Sequence, residues 1–100
     1  MFLVLWEYDV KPGFERRFET VYGPDGDWAQ FFRRDPHHRE TRLLRELSRP
    51  SAYVTLDLWD SRGTYENFRQ QNREAYRALD RSFEPLTVRE RHLGSFDEIP

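Results

Sequence analysis

The first ten residues, MFLVLWEYDV, place apolar side chains at every second position, so Phe2, Val4, Trp6, Tyr8 and Val10 share one face of a strand. Leu3 and Leu5 fall on the other face, which predicts cover on both sides for the first half of that strand. Pro12-Gly13 interrupts it. Phe14, Phe18, Val21 and Tyr22 then recur at helical spacing and predict an amphipathic helix ending near Gly23. After the turn GPDGDW, Asp27 is placed to cap a short second helix bearing Trp28, Phe31 and Phe32, which Asp35-Pro36 closes.

The stretch TRLLRELSR fits strand or helix, and Pro50 with the strand beyond it favours a hairpin turning over Ser48 to Ser51. Ala52 to Trp59 carries the cleanest alternation in the chain. Ala52, Val54, Leu56 and Leu58 form one wholly apolar face; Tyr53, Thr55, Asp57 and Trp59 form the other. Asp60 or Ser61 caps the next helix, whose apolar positions are Tyr65, Phe68, Tyr76, Leu79 and Phe83. The register shift between Phe68 and Tyr76 predicts a bend near Gln71-Asn72 or two abutting helices. Pro85 ends the helical region, Leu86 to Leu93 reads as a last strand, and LGSFDEIP is a tail packing through Phe96.

This order of strand, helix, strand, strand, helix, strand predicts an α+β domain with an antiparallel sheet and both helical limbs on one face. The expectation is that the helices cover Val54, Leu56 and Leu58. Tyr53, Thr55, Asp57 and Trp59 are then left open, and a homodimer with two sheets facing each other would cover them.

Composition narrows the class. One hundred residues suit one domain spanning the whole chain, 37% hydrophobic and 34% charged, which is a soluble composition and not a membrane one. Sixteen per cent aromatic residues is high for so charged a chain and points to cores, pockets or interfaces. A net charge of −2 gives no basic footprint for nucleic acid. Without cysteine there is no disulfide, thiolate nucleophile or cysteine metal site. The apolar N-terminus contains Glu7 and Asp9 and lacks a basic leader, so a cytoplasmic location is expected. His37-His38 beside Asp35 has no third ligand at helical spacing and reads as a solvated loop, so no metal is expected.

Four segments together resemble the antibiotic-biosynthesis-monooxygenase-like family: WEYDVKPGFERRFETVYGPDGDWAQFFRR, TRLLREL, YVTLDLWDSRGTYENFRQ and the closing HLGSF. The resemblance implies a ferredoxin-like βαββαβ fold that pairs into a dimeric α+β barrel. It also implies small-molecule chemistry, the family including cofactor-independent oxygenases of aromatic polyketides, heme-degrading monooxygenases and small isomerases. In the heme-degrading branch it implies an Asn on the first strand, a Trp on the helix after the third strand and a His further along. Here those landmarks fall on or beside Trp6 and at Phe68, and the helix from Thr64 to Arg81 has no His, so heme degradation does not carry over.

Within a lumen between two sheets, the candidate lining residues are Trp6, Tyr8, Tyr53, Asp57 and Trp59, with Phe68 nearby. Asp57 is the candidate base for forming the anion of an acidic phenol or quinol, with His92 on the last strand as the second candidate. The competing reading pairs Asp57 with an arginine such as Arg45 or Arg89 across the dimer. Three functions remain open: a monooxygenase-like reaction on an aromatic or quinol without cofactor, a non-catalytic binding or structural dimer, and a metal-free isomerase or decarboxylase using Asp57 or His92.

Overall fold

A computed structural model describes all residues, 1–100. Strand β1 (Phe2–Val10) is followed by helices α1 (Glu15–Tyr22) and α2 (Asp27–Phe32). Strands β2 (His38–Arg45) and β3 (Ala52–Trp59) form the hairpin, and α3 (Arg62–Gln71) and α4 (Arg73–Phe83) lead through a 3-10 turn at Glu84–Leu86 into β4 (Thr87–Asp97). All strand pairs are antiparallel, in the order β2-β3-β1-β4. The fold is therefore the expected ferredoxin-like α+β arrangement, each helical limb being split in two.

Local chemistry sets the boundaries. Ser61 caps α3 through a reciprocal capping box, its hydroxyl accepting from the Thr64 backbone N–H while the Thr64 hydroxyl accepts from the Ser61 N–H. The bend expected near Gln71-Asn72 lies at Asn72, whose side-chain amide donates to the Phe68 carbonyl at 2.9 Å and takes up an acceptor at the end of α3. Helix α2 is capped at Gly26 and not at Asp27, which lies instead in its first turn, where a carboxylate faces the positive end of the helix. Strand β4 runs to Asp97, four residues beyond the expected Leu93, because two register shifts let it follow β1 to Phe2.

The faces of the sheet are the reverse of the expectation. Tyr53, Thr55, Asp57 and Trp59 are buried, whereas Val54, Leu56 and Leu58 are only half-buried. The helices lie on the aromatic face. Phe18 of α1 meets Tyr53 with ring centroids 4.9 Å apart, and Phe32 of α2 and Phe68 of α3 meet Trp59 at 5.8 and 5.3 Å. Each aromatic ring buries on the order of 150–250 Å², more than the aliphatic alternative offers. The opposite face also carries charge. Glu7 pairs with Arg91 and Arg49, and Asp9 with Arg89 and Arg49. Packing helices over such pairs would cost several kcal/mol per ion in desolvation.

The uncovered face thus presents Leu3, Leu5, Val54, Leu56 and Leu58, flanked by Leu44 and Phe96 and bordered by these ion pairs. Phe96 lies on this face, half-exposed, with its ring over Gly94; a Cβ at position 94 would meet that ring at 2.6 Å. A lumen between sheets lined by Trp6, Tyr8, Tyr53, Asp57 and Trp59 is not what this topology builds, because those side chains point toward the helices of their own chain.

Candidate active site

Between the sheet and its helices lies a cavity of about 210 Å³. Its floor is laid by alternate residues of the two inner strands, Val4, Trp6 and Tyr8 from β1 and Thr55 and Asp57 from β3, with Thr41 from the edge strand β2. Tyr22, Trp28 and Phe32 from the first helical limb form one part of the roof; Tyr65, Arg69, Tyr76 and Asp80 from the second form the other. Glu90 of β4 closes the edge. The walls are partly aromatic, with the ionisable groups grouped at Asp57, Arg69 and the Asp80–Glu90 edge.

Asp57 faces Thr41 across the β2–β3 pair, and the Thr41 hydroxyl donates to Asp57 Oδ1 at 2.5 Å. His38 Nε2 lies 3.1 Å from the Thr41 hydroxyl oxygen and 3.4 Å from Asp57 Oδ1. Since Thr41 gives its own proton to Asp57, the contact with His38 is satisfied when Nε2–H donates and the hydroxyl accepts. The His38 ring is buried between Phe32 and Trp59, and its Nδ1 has no partner. That assignment leaves Nδ1 as a bare acceptor and not as an orphaned N–H. With Oδ1 taken by Thr41 and His38, Oδ2 is the oxygen Asp57 presents to the cavity.

Burial pushes the Tyr8 hydroxyl well above its usual range, the neighbouring Tyr22 adding to the effect. Tyr22 and Tyr76 are raised by the same burial. These hydroxyls stay protonated near neutral pH and are O–H donors to any oxygen in the cavity that gains charge. Arg69 lies over the Tyr76 ring at 3.9 Å and donates to the Tyr65 hydroxyl at 2.8 Å. At the edge, burial raises Asp80, with the Glu84 charge adding to it, and burial followed by the Asp80 charge raises Glu90.

Of the residues singled out from sequence, Trp6, Tyr8 and Asp57 line the cavity. Tyr53 packs on Phe18 and donates from its hydroxyl to Glu19 at 2.5 Å. Trp59 and Phe68 are fully packed core residues. His92 is exposed, stacks on Trp6 at 5.0 Å and contacts the Ser95 hydroxyl at 3.2 Å, outside the cavity. Within the chain, Arg45 pairs with Glu19 and Arg89 with Asp9. His38, read from sequence as part of a solvated loop, is buried under Asp57, while its neighbour His37 points outward to Asp60. Thr41, Arg69 and Tyr76 were not singled out. Their signal in the sequence is positional: Thr41 lies opposite Asp57 on the neighbouring strand, and Arg69 and Tyr76 share helices with buried Phe68 and Phe83, which only the packing reveals.

No helix is long and apolar enough to cross a membrane. A ferredoxin-like sheet with a partly aromatic cavity under its helices is the class of domain that the fold and site define. The chain belongs to the antibiotic biosynthesis monooxygenase family, whose model matches residues 1–80. Among curated proteins, none matches the sequence significantly. Solved structures share the fold. SnoaB, a cofactor-independent oxygenase from Streptomyces nogalater, superposes with a TM-score of 0.79 at 22% identity, covering 99% of this chain and 93% of that one. A Bordetella bronchiseptica protein carrying the same family description gives 0.75 at 17% identity over 99% and 97% of the two chains. A Pseudomonas aeruginosa protein gives 0.69 at 12% identity over 99% and 94%.

Proposed function

We propose that the protein oxidises a small phenol, one that carries hydrogen on the carbon para to its hydroxyl, in the cavity between its sheet and helices, using molecular oxygen and no cofactor. The observation that carries this reading is Asp57, a buried carboxylate with one oxygen fixed by Thr41 and His38 and the other turned to an aromatic-walled cavity. Family membership and the likeness to a cofactor-independent oxygenase support it.

In this mechanism Asp57 Oδ2 removes the phenolic proton. The protonated Tyr22 and Tyr76 hydroxyls stabilise the phenolate, worth more in this enclosed site than in water. The electron-rich ring transfers one electron to oxygen, and the radical pair combines at the ring carbon para to the oxygen. The resulting hydroperoxide loses the hydrogen on that carbon and breaks its O–O bond. One oxygen atom stays as the quinone carbonyl and the other leaves as water. The phenol supplies all the electrons: one phenol and one O₂ give one quinone and one water.

The protein acts as a cytoplasmic homodimer in this reading. The uncovered leucines of β1 and β3 are a contiguous apolar face of the kind that marks an interface, and two copies joined there leave each cavity within its own protomer. The enzymatic reading is tested by oxygen uptake over a panel of phenols unsubstituted para to the hydroxyl. Uptake that yields quinone in a 1:1 ratio supports it, and no uptake with any member of the panel counts against it.

A further inference from the structure

Tyr65, Arg69 and Tyr76 line the inner cavity and also a second, shallow hollow of about 390 Å³ on the solvent side. Arg73 and Arg77 complete the charged rim of that hollow, with Glu66 as its one acid. Glu66 is already engaged by Arg62 at 2.8 Å. Arg69, Arg73 and Arg77 form no ion pair, as is also true of Arg16, Arg17, Arg34 and Arg81, whereas the other eight arginines do.

Arg69 is held in place without being neutralised. Tyr76 lies under its guanidinium and the Tyr65 hydroxyl takes one N–H, so the charge stays available where the linings of the two spaces meet. Arg73 and Arg77 are one turn apart on α4, a like-charge spacing that weakens a helix unless something offsets it. Three guanidinium groups beside a cavity, near Asp80 and Glu66 but with no carboxylate at ion-pair distance from them, form a receptor for a planar oxyanion.

We propose that the substrate of the reaction inferred above is an aromatic carboxylate: its phenolic ring fills the inner cavity and its carboxylate lies on the solvent side, on Arg69, Arg73 and Arg77. Ligand sites for drug-sized molecules run to about 300–1,000 Å³, so an inner space of about 210 Å³ suits one or two fused rings. This assignment rests on the cavity being the binding site.

The test is calorimetric titration of the intact protein with two compounds, 2-naphthol and 6-hydroxy-2-naphthoate. The carboxylate compound is expected to bind about tenfold more tightly or better, with an advantage that shrinks as salt is raised. Arg73 and Arg77 are both exposed, and in an Arg73→Gln/Arg77→Gln variant, whose fold is checked by circular dichroism, that advantage is expected to disappear. Equal binding of the two compounds by the native protein overturns the carboxylate subsite while leaving the cavity reading intact. So does an advantage that survives the double substitution. Binding of neither compound overturns both.

Discussion

The Thr41 hydroxyl donates to Asp57 Oδ1 at 2.5 Å from directly across the β2–β3 pair. This cross-strand contact, with His38 beneath it, gives the carboxylate one committed oxygen and one free. A buried carboxylate without such a donor would be expelled, neutralised or paired with an arginine. With it, the group keeps a fixed orientation toward the cavity.

Replacing Thr41 by Val keeps the shape and removes that donor. Loss of about 1–3 kcal/mol of stability is expected, read from denaturant unfolding. In the proposed reaction kcat should fall more than KM rises, because the substitution loosens the base and leaves the aromatic walls in place. Thr41→Ser, which restores a hydroxyl, should recover most of kcat.

Asp80 gives a pH-dependent prediction. Its folded-state pKa is raised, chiefly by burial, so the folded protein holds this proton more tightly than the unfolded chain. The contribution to stability is present below the unfolded-state pKa and is lost as pH rises through the raised value. Asp80→Asn should therefore raise the melting temperature at pH 7 and change it little near pH 3. A melting temperature raised equally at both pH values would contradict the assignment.

Phe68 tests the aromatic core. It meets Phe31, Phe32 and Trp59 with ring centroids 5.1 to 5.9 Å apart. Phe68→Ala should cost about 3–5 kcal/mol, seen as a lower unfolding midpoint with little change in slope.

The uncovered sheet face tests the assembly. Leu56→Arg places a charge among Leu5, Val54 and Leu58 without touching the cavity on the other side of β3. The dimer dissociation constant is expected to rise about a hundredfold or more, measured by light scattering against concentration. Native protein that is monomeric at micromolar concentration would contradict the dimer.

The elements were legible in the sequence because each is marked by its own periodicity and punctuation. Alternation over Ala52 to Trp59, Ser61 before α3 and the slip between Phe68 and Tyr76 all appear where the structure has them. The direction in which β3 faces was not. Hydrophobicity alone points to Val54, Leu56 and Leu58 as core, yet the helices bring Phe18, Phe32 and Phe68, which pack on Tyr53 and Trp59. The clue lay on β1, where Glu7 and Asp9 mark the outer face. Using it requires the β1–β3 register, a long-range pairing that no local pattern encodes. His38 was hidden for a related reason: a register shift between His38 and Glu40 turns its side chain inward from what reads as a loop.

The most direct test of the central claim is oxygen consumption by native protein and by Asp57→Asn, with the best phenol found in the panel. Asn keeps the shape and can still accept from Thr41, but it cannot take a proton. The account predicts a fall in kcat of about 10²- to 10⁴-fold, with substrate still bound in the calorimeter and the fold intact by circular dichroism. Turnover by Asp57→Asn at the native rate would contradict it.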